Sequence, residues 1–134
     1  EVPGLTVLVV DDHPEARELI LRVREDCSAR VITAGSADEA VPLVESVHPD
    51  VLITDIGMPV ADGYELLRRV RELGPARGGR VPASALTAFA RSEDRARALR
   101  SGFMVHVSKP VDPSELVATV AAVAGRVHQS GEPV

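Results

Sequence analysis

One lysine stands among the 15 lysines and arginines of this 134-residue chain: Lys109, in Ser108-Lys109-Pro110. A chain that uses arginine at every other permanently basic position and keeps one lysine is placing a compact ammonium there. Asp11-Asp12 closes one apolar run, and Asp55 closes another. Three acids and one lysine at successive strand ends make a magnesium-dependent phosphoryl site, because Mg²⁺ prefers hard oxygen ligands and retains some water. On this reading Asp12 and Asp55 ligate directly, Asp11 acts largely through water, and the Gly57 carbonyl adds an oxygen. Mn²⁺ is the expected substitute ion. Asp55 doubles as nucleophile, since carboxylates form aspartyl-phosphates. Thr87 offers a hydroxyl hydrogen bond to the same group, Lys109 neutralises its charge, and Ala88 leaves room for attacking water. Each feature alone has a plainer reading. An Asp pair before Pro14 caps a helix, an acid after a strand turns the chain, a threonine is structural, and a lysine before proline is a surface residue. Their order and spacing together favour the chemical reading.

The elements that must position these groups follow from the pattern. Leu5–Val10 is nearly continuous apolar sequence, suited to a strand buried on both faces of a parallel sheet. Pro14 fits the first turn of a helix carrying Ala16, Leu19, Ile20 and Val23. Val31–Ala34 is a short second strand. Ser36 with Glu39 three places on resembles a capping box, and Pro42 predicts a kink or a late start in that helix. Asp50–Thr54 is the third strand, followed by the loop Ile56–Pro59 and a helix holding Tyr64, Leu66, Leu67 and Val70. Gly74–Arg80 reads as an exposed loop. Val81–Leu86 is a weak fourth strand, Ser92–Arg100 a charged helix, and Phe103–Val107 the fifth strand. A last helix runs from Asp112 to about Val127, with Leu116, Val117, Val120, Val123 and Val127 as its apolar stripe. Residues 128–134 form a loose tail, which leaves residues 4–127 as the single domain. Fivefold alternation of strand and helix predicts an open α/β sheet covered on both faces. Ligands of such sheets sit beyond the carboxyl ends of the strands, so Asp11, Asp12, Asp55, Thr87 and Lys109 are expected on one rim.

Composition narrows the function classes. Aromatics are only 2% of a chain that is 45% hydrophobic, so its core is built from Val, Leu, Ile and Ala. A net charge of −5 weighs against direct nucleic-acid binding. The lone Cys27 precludes an internal disulfide and suggests an intracellular setting. No apolar run approaches the ~18–20 residues that span a bilayer, and no signal peptide opens the sequence. A cytoplasmic location is expected, alone or as the cytoplasmic part of a membrane-anchored kinase. No GxGxxG follows the first strand, which weighs against dinucleotide binding.

Four segments resemble response-regulator receiver domains and stand in that family's order: Val9-Val10-Asp11-Asp12-His13-Pro14, Ile53-Thr54-Asp55-Ile56-Gly57-Met58-Pro59, Ala85-Leu86-Thr87-Ala88 and Val107-Ser108-Lys109-Pro110. The resemblance covers roughly residues 5–127. It implies a doubly wound, flavodoxin-like parallel sheet of strand order 2-1-3-4-5. It also implies Asp55 as phosphoacceptor, Asp11 and Asp12 as the acidic magnesium pair, Gly57 as a backbone ligand, Thr87 as the switch hydroxyl and Lys109 as the phosphate-pairing lysine. The implied partner is a histidine kinase or histidine phosphotransfer domain. The implied responsive face, which can also form a homodimer, is the fourth helix, fifth strand and fifth helix. Arg91, Arg95, Arg97 and Arg100 make that region basic, which suits an acidic partner surface or plain helix solubility. The family often carries Tyr or Phe three residues before the lysine. Here His106 stands there, and a reduced switch role, a proton-sensing role and a plain surface role are all open to it. Ser101–His106 is similar to the same stretch of receivers fused to hybrid histidine kinases. The missing initiator methionine adds the expectation of a piece of a longer protein. Two other functions remain: a phosphorylation-independent interaction module, which the full set of five residues weighs against, and a phosphatase-like enzyme, for which no second acid stands near Asp55.

Overall fold

The computed structural model describes residues 5–12, 30–57, 62–87, 92–108, 118–119 and 122–123. The five strands are β1 (Thr6–Val10), β2 (Arg30–Ala34), β3 (Val51–Asp55), β4 (Ala83–Thr87) and β5 (Val105–Ser108). They form one parallel sheet of order β2-β1-β3-β4-β5. Parallel neighbours need crossover connections. Three of these are described as the helices Ala37–Val47, Gly63–Glu72 and Ser92–Arg100. The first helix, Cys27, Met58-Pro59, Ala88, Arg91, Lys109 and the tail lie outside the described residues. Of the last helix, Ala118-Thr119 and Ala122-Val123 are described, and both pairs are helical.

Both faces of the sheet centre are buried, as continuous apolar strands require. Leu8, Val10, Leu52, Ala83 and Ala85 share a cluster with Ala40 and Val44 of the first described helix, Leu66, Leu67 and Val70 of the second, Ala98 of the third, and Phe103. The alternate positions Val7, Val9, Val51 and Ile53 are buried as well and point to the opposite face by the two-residue period of a strand. The alanines that made β4 look weak belong to the same cluster as Leu66, Leu67 and Phe103. The helix side chains supply the bulk that the strand lacks.

The Ser36 cap is present: its Oγ accepts from the Glu39 N–H at 3.2 Å, and Glu39 Oε1 accepts from the Gly35 N–H at 2.8 Å. The reciprocal bond thus falls one residue earlier than in a standard capping box. Helix Ala37–Val47 runs through Pro42 from its usual start, so the expected late start does not occur. At its sixth helical position Pro42 withholds a donor only from Asp38, an exposed first-turn residue.

The 74–80 connection is more ordered than an exposed loop. It contains a 3₁₀ turn, Pro75–Arg77, and Gly79 is buried. A Cβ on Gly79 would stand 2.6 Å from the Gly74 nitrogen, so only glycine lets the two chain segments approach this closely. Arg71 Nη1 donates to the Gly79 and Val81 carbonyls at 2.9 and 2.6 Å, and Arg77 pairs with Glu45.

Strand bounds shift for hydrogen-bonding reasons. The Val81 N–H turns back to Gly78 O and Pro82 has no N–H, so β4 begins at Ala83 and reaches Thr87. The Phe103 N–H caps the preceding helix at Ala98 O, and sheet pairing resumes at Met104, whose N–H donates to Ala83 O at 2.8 Å. Phe103 is therefore a buried plug before β5 and not its first residue.

Candidate functional site

The strand ends are nearly flush. Val10 pairs with Thr54, Asp55 with Leu86, and Thr87 with Ser108, so the residues that follow β1, β3 and β4 emerge on one edge. Asp11 leaves β1 with its N–H donated to Ala34 O at 3.0 Å. Asp12 beside it is exposed, and Asp55, the last residue of β3, is only 4% exposed. One carboxylate oxygen from each of Asp11, Asp12 and Asp55 lies within 4.8 Å of the others. Like charges at that separation repel by roughly 1 kcal/mol per pair in water and about 3 kcal/mol at an effective dielectric of 20. A divalent cation reverses the sign of that energy, and an all-oxygen donor set suits a hard ion.

The backbone of Asp55-Ile56 is held by three hydrogen bonds. Thr54 Oγ1 donates to the Asp55 carbonyl at 3.0 Å, the Ile56 N–H donates to Leu86 O at 2.9 Å, and the Gly63 N–H donates to Ile56 O at 3.0 Å. Within the loop, the Gly57 N–H points to Asp55 Oδ1 at 3.4 Å, a long bond that still orients the carboxylate. Gly63 begins the second described helix against this backbone: a Cβ there would lie 2.7 Å from the Asp55 carbonyl oxygen. Asp62 caps that helix, its Oδ1 accepting from the Glu65 N–H at 2.9 Å. Thr54 and Gly63 were not among the expected site residues. The cue for Gly63 was present in Asp62-Gly63-Tyr64-Glu65, an acid followed three residues later by Glu.

Of the expected site residues, Asp11, Asp12 and Asp55 converge, and Gly57 follows at hydrogen-bonding range of Asp55. Thr87 ends β4 beside Ser108, the residue before Lys109. Lys109 and the side chain of Thr87 lie outside what is described. His106 pairs with Ala85 inside β5, its side chain likewise outside the described set. Arg97 and Arg100 are exposed on the third described helix.

The sequence matches the family profile of the response regulator receiver domain over residues 7–121. The chain belongs to that family. This receiver, a domain of two-component signal transduction, is 50% identical over 116 residues to an uncharacterised 14.6 kDa protein of Leptolyngbya boryana, with 87% of each chain covered. It is 34% identical over 126 residues to the sensor histidine kinase RcsC of Escherichia coli K12. That alignment covers 94% of the receiver and 13% of RcsC, so the receiver spans only a small part of that relative. Its fold is similar to the receiver domain of the sensor histidine kinase PA1611 of Pseudomonas aeruginosa PAO1, solved with magnesium coordinated in its active-site cleft. The TM-score is 0.79 at 31% identity, covering 91% of the receiver and 98% of that chain. Relatives thus include both a short protein and kinase-borne receivers, in keeping with the pattern of Ser101–His106.

Proposed function

We propose that this receiver accepts a phosphoryl group on Asp55 from the phosphohistidine of a histidine kinase or histidine phosphotransfer domain, and that a partner reads the resulting change of surface. The observation that supports this most is the gathering of the Asp11, Asp12 and Asp55 carboxylates within 4.8 Å of one another. Such a donor set fits Mg²⁺, with Mn²⁺ as a substitute. Asp11, Asp12, Asp55 and the Gly57 carbonyl are the groups assigned to hold it. When bound, the cation neutralises negative charge on phosphoryl oxygens.

Asp55 supplies the attacking oxygen. Its carboxylate forms the new O–P bond as the N–P bond to the donor imidazole breaks, and the departing nitrogen keeps that electron pair and takes up a proton. The pinned backbone and the Gly57 N–H hold the nucleophile in place before the donor arrives. Thr87 is assigned to donate to a phosphoryl oxygen, and Lys109 to pair with another. Their engagement biases two arrangements of the helix Ser92–Arg100 and β5. The functional unit is assigned to residues 4–127 with 128–134 as a tail, in the cytoplasm, with self-association through the Ser92–Arg100, β5 and last-helix face as a candidate assembly.

Incubation with phosphoramidate and Mg²⁺, followed by intact-mass measurement, tests the reading. Wild type should gain one phosphoryl group, Asp55→Asn none, and chelation of the metal should slow labelling at least tenfold. Equal labelling of wild type and Asp55→Asn would remove Asp55 from this role.

A further inference from the structure

The chain has a single tyrosine, Tyr64, and it stands between Asp55 and the helix Ser92–Arg100. Its neighbour Gly63 donates its N–H to Ile56 O at 3.0 Å, and a Cβ on Gly63 would lie 2.7 Å from the Asp55 carbonyl oxygen. The start of helix Gly63–Glu72 is thus packed without slack on the Asp55-Ile56 backbone, and a displacement of that backbone carries the helix start with it. On the other side, the half-buried Tyr64 ring lies under the Arg97 guanidinium, 4.0 Å from the centroid, and meets Phe103 edge-on at 6.1 Å. Arg97 belongs to helix Ser92–Arg100. Phe103 closes that helix, its N–H donating to Ala98 O at 3.1 Å, and the next residue bonds to β4. One ring therefore touches both the helix and the entrance to β5.

The hold on Ser92–Arg100 is light. Of residues 96–100 only Ala98 is buried, and Leu99 is 52% exposed. An element with few buried apolar contacts shifts at low cost in free energy. At 4.0 Å the Arg97–Tyr64 stack is close for a contact that reaches to ~6 Å, so a displaced ring weakens it.

We propose that the Arg97–Tyr64 stack is a regulatory clasp, which holds helix Ser92–Arg100 in one arrangement and gives way when a phosphoryl group loads Asp55. This rests on the assignment of Asp55 as phosphoacceptor. Coupling between two sites is reciprocal, so removing the clasp also eases loading at Asp55.

The probe is beryllofluoride, a reversible mimic of the phosphoryl group, titrated into the full chain with saturating Mg²⁺. The chain has no tryptophan, so tyrosine emission reports Tyr64 alone. In wild type that emission should change and saturate as fluorine NMR shows the mimic bound. Arg97→Ala, an exposed change, should at least halve the emission change and leave the circular dichroism spectrum unaltered. It should also tighten beryllofluoride binding by roughly two- to fivefold, the span an exposed cation–π contact supplies. Arg97→Lys, which keeps a cation, should bind as wild type does. By calorimetry Tyr64→Leu should tighten binding by the same factor as Arg97→Ala, and the double variant no further. A ring that only supports the fold would lower stability without tightening the mimic. Unchanged Tyr64 emission with the mimic bound would overturn the clasp and leave the Asp55 assignment standing. So would unaltered or weaker affinity in Arg97→Ala, Arg97→Lys behaving like Arg97→Ala, or additive effects in the double variant. Equal loading of Asp55→Asn and wild type would overturn that assignment, and the clasp with it.

Discussion

A methyl group on Gly63 would stand 2.7 Å from the Asp55 carbonyl oxygen and 3.0 Å from Ile56 Cα, both backbone atoms that cannot swing aside. Gly63→Ala should therefore push the helix start away from the rim and cost about 1–3 kcal/mol, as overpacking does. Urea denaturation checks the loss. The same variant should slow labelling at Asp55, because the Ile56 carbonyl that Gly63 holds moves with it. Glu65 makes a second prediction at this scale. Hydrogen bonds from Arg68, then Arg69, lower its pKa from 4.5 to about 2. A group whose folded pKa is depressed stabilises the fold above its unfolded pKa and loses that contribution as pH falls through the folded value. The Glu65 contribution is thus complete above about pH 5 and is lost towards pH 2. Glu65→Gln should melt below wild type at pH 7, and the difference should shrink as thermal scans are repeated down to pH 2. The carboxylates of the rim were legible in the sequence because their positions after apolar runs fix where they emerge. Gly63 and Thr54 were not, since their role depends on how closely a helix docks on a strand end, and no local pattern encodes that distance.

Elements were legible where side-chain period and backbone donors agree. Ser92–Arg100 matches its expected bounds, and the Ser36 cap forms. Expectation failed where donors were diverted. Phe103 has the composition of a strand residue, yet its N–H belongs to the preceding helix. Gly74–Arg80 has the composition of a loose loop, yet two carbonyl bonds from Arg71 and the close approach of Gly79 to Gly74 organise it. Pro42 lies near enough to the helix start that the lost bond is tolerated. In β4, Ser84 is fully buried and its Oγ has no hydrogen-bond partner among the described residues. A buried unpaired hydroxyl carries its desolvation cost uncompensated. Ser84→Ala should raise stability by about 1 kcal/mol, read as a higher urea midpoint with an unchanged slope. A lower midpoint would mean that the hydroxyl is satisfied after all.

At the scale of the whole molecule, the open α/β sheet followed from alternation and its strand order from the family resemblance, and TM-scores to solved receivers agree with both. The aromatic-poor core makes stability depend on branched aliphatics. Leu67, 1% exposed, lies in the cluster that joins three helices to one sheet face. Leu67→Ala should cost about 2–5 kcal/mol, by equilibrium unfolding. Labelling at Asp55 should persist in the fraction that remains folded, because Leu67 belongs to the apolar cluster on the sheet face and the carboxylates gather at the strand ends.

The two ways in which arginines anchor this fold differ in what acid can do to them. Arg68 and Arg77 grip the carboxylates of Glu65 and Glu45, whose pKa values those arginines lower, and acid strong enough to protonate them takes those partners away. Arg71 grips peptide oxygens, which do not titrate in water. As a solution is acidified, the seam between the Ala37–Val47 helix and the Pro75–Arg77 turn should slacken first, while the knot that ties the end of the Gly63–Glu72 helix to the entrance of β4 keeps its hold until the chain unravels as a whole.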